Sequence, residues 1–200
     1  MTSVVNHPFY LALRAILKFF IRVVLLISGF RVKNPTRLPK KRMSCLLICN
    51  HAAFVDSVYL ICAVRPRFVV CGAKPKYFKH PLLRFVFRTA NILKVESREQ
   101  FLRDCGELLE AGNILLIYPE MGRNPDGLGA FKTWAAEVAL AHGAEAVPCY
   151  LYGTTAGQEG PKRLIAGPPV LPEGGAEDLT EEYRRAILGL KPEREEASRP

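Results

Sequence analysis

Apolar residues in this chain fall into two alternating patterns. Residues 44–49 (SCLLIC) and 113–118 (NILLIY) are short, nearly unbroken apolar runs, as expected of strands in a sheet covered on both faces. Residues 67–71, 91–95 and 146–152 read as further strands, and 163–170 as an edge strand. Between them, residues 54–64, 75–90, 97–110, 132–142 and 179–190 have apolar positions at helical spacing. Ser97 followed by Gln100 is a capping-box signal, and Gly112 is the stop for that helix. In 75–90, Tyr77, Phe78, Leu82, Leu83, Phe85, Val86 and Phe87 are interleaved with Lys76, Lys79, Arg84 and Arg88, which predicts one helix with an exposed apolar and basic face. Strand–helix alternation without an internal repeat predicts an α/β fold, a single mostly parallel sheet flanked by helices.

Residues 8–30 (PFYLALRAILKFFIRVVLLISGF) add an amino-terminal helix that Gly29 would end. Arg14, Lys18 and Arg22 interrupt it every fourth residue; a step of four drifts about 40°, so they form one cationic stripe. Three central cations make a spanning helix costly. A membrane-interfacial helix with its stripe turned to the headgroups fits better, the alternative being a helix packed on the domain with its cations in water. This divides the chain into a basic, membrane-associating segment (1–42), a domain (43–190) and a charged tail (191–200).

Composition narrows the picture. With 200 residues, 49% apolar and 24% charged, the chain suits one globular domain. Six scattered cysteines with no Cys-x-x-Cys pair read as core residues of a reducing compartment. The net charge of +9 is unevenly placed: the first 55 residues hold nine Lys/Arg and no acid, and Asp56 is the first negative charge. A polyanionic partner follows. Nucleic acid would explain the charge but not the greasy 8–30 segment, so an anionic membrane surface is expected. No leader with a small-residue cleavage site is evident, which points to the cytoplasmic face of a membrane. His7, His80 and His142 show no ligand spacing, and neither a P-loop nor a dinucleotide fingerprint is present, so no metal or cofactor is expected.

The candidate chemistry begins at Asn50-His51-Ala52-Ala53-Phe54-Val55-Asp56. Within one continuous helix, five residues would leave the two side chains roughly 140° apart. They meet only if His51 lies in a turn and Asp56 on the first helical turn, where the helix end favours an ionised carboxylate. A carboxylate on one imidazole nitrogen leaves the other to take a proton, as a base for a substrate's hydroxyl. Ser57 lacks a Gly-x-Ser-x-Gly elbow, so no serine nucleophile is implied. The second candidate is the loop after 113–118, Tyr118-Pro119-Glu120-Met121-Gly122-Arg123. Glu120, Gly122 and Arg123 suit recognition of a phosphate or glycerol group, Arg123 through paired hydrogen bonds; the alternative is a solvated surface turn.

Together these blocks resemble the lysophospholipid acyltransferase family, whose members carry Asn-His-x-x-x-x-Asp and Phe-Pro-Glu-Gly-Thr-Arg blocks. Phe131-Lys132 and the Ala146-Val147-Pro148 strand resemble two further family blocks, so the likeness covers about residues 44–170. Met121 and Gly122 stand where the family usually has Gly-Thr. The resemblance implies transfer of a fatty acyl group from a thioester, acyl-CoA or acyl-carrier protein, to the hydroxyl of a lysolipid, first 1-acyl-glycerol-3-phosphate. In that reading His51 is the general base and Asp56 orients it, Glu120, Gly122 and Arg123 hold the headgroup, Lys132 is a second cation, and Asn50 shapes the turn or polarises the thioester. A lipid-binding protein without transfer activity and a thioester hydrolase using the same dyad are the rival readings.

Overall fold

The computed structural model describes residues 8–39, 44–64, 69–125, 127–154 and 161–192. Its strands are β1 (Arg31–Lys33), β2 (Cys45–Cys49), β3 (Val69–Ala73), β4 (Ile92–Lys94), β5 (Ile114–Ile117), β6 (Ala146–Tyr152) and β7 (Arg163–Ala166). They form one sheet in the order β1-β7-β6-β2-β5-β3-β4, parallel throughout except where β7 runs antiparallel to β6. The unbroken apolar runs are the central strands, and alternation supplies both faces. In β2, Leu46 and Ile48 enter one core cluster, while Cys45, Leu47 and Cys49 enter the other.

Helices cover both faces: α1 (Pro8–Ile27), α2 (Asp56–Ala63), α3 (Pro81–Ala90), α4 (Arg98–Glu110), α5 (Trp134–His142) and α6 (Ala176–Leu188). Phe101, Leu109, Ala136, Leu179 and Tyr183 pack one side, and Leu25, Phe30, Tyr59 and Leu60 the other. All six cysteines are buried and free, consistent with their reading as core residues. Ser97 caps α4 by accepting from Gln100 N–H at 3.1 Å; the Gln100 amide reaches back one residue further than a capping box requires, accepting from Glu96 N–H at 2.8 Å.

Several expectations are corrected. The predicted helix over 75–90 is two elements, a 3-10 segment (Pro75–Lys79) and α3, because His80 precedes a proline and is held extended at φ −81°, ψ 123°. The 163–170 strand is not at the edge. Within the basic segment, Arg31–Lys33 lies parallel to it as β1, so the segment and the domain share one sheet. The tail from 193 onward lies outside the described residues.

The cationic stripe on α1 points the opposite way to the expectation. Arg14 is buried and donates through Nε to the Thr89 carbonyl and through Nη2 to Arg88 O at 3.4 Å, in the last turn of α3. Lys18 Nζ donates to Val64 O at 2.6 Å, at the end of α2. Helix carboxyl ends carry unsatisfied carbonyls and negative partial charge, so the stripe docks α1 onto α2 and α3. The opposite face is left outward, exposing Phe9, Ile16, Phe19, Phe20, Val24, Leu26 and Ile27. No helix among the described residues is long and apolar enough to cross a membrane.

Candidate active site

Four adjacent parallel strands, β2, β5, β3 and β4, end on the same side of the sheet, and the segments after them line one cavity of about 770 Å³. Such crevices beyond the strand carboxyl ends are where open α/β sheets bind ligands. His51 and Ala52 come from the β2 end, Tyr118, Met121, Gly122 and Arg123 from the β5 end, and Lys74, Lys76 and Tyr77 from the β3 end. Leu83, Val86, Phe87 and Ala90 of α3 form an apolar wall.

His51 lies in the turn and Asp56 opens α2, as the spacing requires. Nδ1 of His51 is 3.0 Å from Asp56 Oδ2. That oxygen also accepts from the N–H groups of Ala52 at 2.7 Å and Ala53 at 2.8 Å, so the carboxylate shapes the turn that carries the histidine. Asp56 is fully buried, whereas the His51 side chain is 17% exposed toward the cavity. The network assigns the Nδ1 proton to the Asp56 bond and leaves Nε2 as the acceptor. The ring rests on Tyr118, with centroids 4.0 Å apart and planes 14° apart. The Tyr118 hydroxyl is 3.0 Å from Ser57 Oγ, and burial pushes its pKa well up, so it stays a neutral platform.

Asn50 is buried and uses both ends of its amide on Leu151, Oδ1 accepting from N–H at 2.7 Å and Nδ2 donating to O at 3.0 Å. It fastens the β2 exit to β6. Glu120 is equally committed: Oε1 accepts from His51 N–H at 3.0 Å and Oε2 from Gly129 N–H at 2.8 Å. A Cβ on Gly129 would stand 3.1 Å from Glu120 Oε2 and overlap the Asn124 amide, which explains the glycine. Met121 adopts a left-handed φ of 51°, a conformation costing an L-residue about 1–2 kcal/mol.

Arg123 is exposed at the cavity mouth, its Nη2 3.4 Å from the Tyr77 hydroxyl, and Gly122 lies beside it. Lys132 is not among the cavity-lining residues; its backbone N–H donates to Pro119 O at 2.8 Å. Lys74 and Lys76 stand on the wall instead. Sequence reasoning missed these two lysines and Tyr118 as site residues, although their positions just beyond strand ends were available as a signal.

A family model described as Acyltransferase matches residues 29–152, more than half of the chain. The chain is 29% identical over 171 residues to a 1-acyl-sn-glycerol-3-phosphate acyltransferase of Chlamydomonas reinhardtii, covering 78% of this chain and 51% of that protein. It is 27% identical over 166 residues to a chloroplastic 1-acyl-sn-glycerol-3-phosphate acyltransferase of Arabidopsis thaliana, covering 76% and 46%. The chain thus spans about half the length of these curated relatives. In fold it is similar to the crystal structure of the 1-acyl-sn-glycerophosphate acyltransferase PlsC of Thermotoga maritima, with a TM-score of 0.71, 22% identity, and coverage of 88% and 79%. The matched span holds the His51–Asp56 pair, the Glu120 loop and the strands that carry them, and the chain belongs to the acyltransferase family.

Proposed function

We propose that the protein transfers a fatty acyl group from a thioester, acyl-CoA or acyl-carrier protein, to the hydroxyl of a lysolipid, with 1-acyl-glycerol-3-phosphate as first acceptor and phosphatidate as product. The observation that carries this reading is the His51–Asp56 contact of 3.0 Å at the wall of a cavity that is basic at one end and apolar along α3. Nε2 of His51 accepts the acceptor's proton as its oxygen attacks the thioester carbonyl, and Asp56 stabilises the imidazolium. The tetrahedral intermediate collapses by breaking the C–S bond, and the imidazolium returns its proton to the departing thiolate. Arg123, Lys74 and Lys76 supply the charge for a phosphate, and Leu83, Val86 and Phe87 the surface for an acyl chain.

The nucleophile arrives with the lipid, so the protein must meet a membrane. The outward apolar face of α1, together with exposed Leu82 and Phe85 on α3, supports insertion into one leaflet, on the cytoplasmic side. The cations placed to meet anionic lipid are those of the cavity, Lys74, Lys76 and Arg123, not the α1 stripe. The test is purified protein with a lysolipid panel and a labelled acyl thioester, the products read by mass spectrometry. Labelled phosphatidate is expected; release of free fatty acid at the same rate with and without lysolipid would make the protein a hydrolase instead.

A further inference from the structure

A second groove, of about 490 Å³, lies at the open edge of the sheet beside β4, between α3 and α4. Four cations and two acids line it: Arg84, Arg88, Lys94 and Arg103 against Glu96 and Asp104. Lys94 pairs with Glu96 at 2.5 Å, and Asp104 accepts from the Gln100 amide. Arg84, Arg88 and Arg103 form no ion pair among the described residues. Asn91 also lines the groove; it is 92% buried by complement of its 8% exposure, and its Nδ2 finds no hydrogen-bond partner. A buried amide donor left unsatisfied costs about 1–3 kcal/mol unless something accepts from it. Phe78 and Phe87 add aromatic surface.

Three unpaired guanidinium groups around a concave, partly aromatic groove with a spare buried donor match a phosphorylated aromatic ring system better than a fatty chain or a convex protein helix. The groove shares Phe87, Ile92 and Glu96 with the wall of the cavity that holds His51, so a ligand with its reactive end at His51 and its phosphates at the end of a long arm can occupy both. We propose that this edge groove binds the phosphate-bearing nucleotide end of a coenzyme A thioester, with Arg84, Arg88 and Arg103 on the phosphates and the Asn91 amide as a further donor. The inference rests on the thioester-donor reading above and names the carrier.

The test is titration calorimetry of the full chain with free coenzyme A and with pantetheine, which lacks the phosphates and the nucleotide. Coenzyme A is expected to bind more tightly than pantetheine. The Arg84→Ala/Arg103→Ala variant should weaken coenzyme A binding at least about tenfold and collapse that preference. Asn91→Gly, which keeps the left-handed backbone at φ 63° and removes only the amide, should weaken it several-fold. Equal affinity of wild type and arginine variant for coenzyme A would overturn the proposal. So would loss of binding only to phosphatidylglycerol vesicles, which would assign the arginines to lipid phosphate, or loss only of acyl-carrier-protein binding. Because calorimetry needs no turnover, failure to bind coenzyme A and failure to transfer an acyl group are separate outcomes.

Discussion

Glu120 holds His51 by its backbone: Oε1 accepts the His51 N–H at 3.0 Å, while Oε2 accepts the Gly129 N–H at 2.8 Å. One carboxylate therefore ties the turn carrying the candidate base to the loop carrying Gly122 and Arg123. Both oxygens are occupied by amides, so its contribution is to geometry. Glu120→Gln presents an N–H₂ to one amide donor and breaks one bond. The expected result is a fall in kcat of about tenfold or more, with KM for the acceptor changed far less. Steady-state kinetics with varied lysolipid checks this; a rise in KM alone would return Glu120 to headgroup binding. Gly129→Ala should act in the same direction, since its Cβ crowds the same carboxylate oxygen.

Asp56→Asn tests the charge on the dyad. An asparagine oxygen can still accept from Ala52 and Ala53, so the turn survives, but no anion remains to stabilise the imidazolium. Transfer should fall by about 10²–10⁴-fold, with His51→Ala at least as severe. Circular dichroism on both variants separates chemistry from folding, and a normal rate in either folded variant would remove the dyad from the mechanism.

Arg123→Ala and Lys76→Ala test the phosphate end of the cavity. Each should raise the KM for a phosphorylated acceptor by about tenfold, and do much less for the acyl donor. Competition assays with a phosphate-free monoacylglycerol give the contrast. Lys132→Ala, outside the cavity lining, should leave the acceptor KM close to that of the wild type.

The central sheet and the His51 turn were legible in the sequence because strands buried on both faces leave unbroken apolar runs, and a five-residue His–Asp spacing admits one geometry. β1 was not: Arg31, Val32 and Lys33 have no apolar period, and they become a strand because the outer edge of β7 needs partners. The break at His80 could have been read from Pro81. Periodicity found the Arg14–Lys18–Arg22 stripe but could not orient it, since its acceptors, the last carbonyls of α2 and α3, are assembled only by the fold. Glu120 was named for the right loop and the wrong partners for a similar reason: backbone amides leave no mark in a residue pattern.

The orientation of α1 has a direct consequence for membrane binding. Phe19→Ser/Phe20→Ser removes two exposed aromatic rings from the outward face, each worth about 1.5–3 kcal/mol when fully buried in an apolar phase. Vesicle partitioning should drop by about tenfold or more, measured by flotation. Arg14→Met should lower the stability of the fold more than it lowers flotation, because its hydrogen bonds are to Thr89 and Arg88 within the protein. The reverse pattern would put the stripe back in the headgroup layer.

Lys18 gives the stability a pH dependence whose sign can be worked out. Burial lowers its pKa from 10.5 to about 8; the neighbouring Cys62 acts the other way, and Arg22 adds a smaller lowering. The unfolded chain therefore holds this proton more tightly than the native state. Below about pH 8 both states are charged and the cost of burying the ammonium is fully present; as pH rises toward 10.5 only the unfolded state stays protonated, and the cost is relieved. Lys18 thus makes stability rise with pH in that window. The buried cysteines and tyrosines have raised pKa values and pull the other way, so the effect must be read as a difference from Lys18→Met, which retains them. Denaturant titrations should show the wild type gaining about 2 kcal/mol on the variant between about pH 7.5 and about pH 10. A difference that stays flat across that range would mean that Lys18 keeps an ordinary pKa, and that α1 does not bury it against Val64.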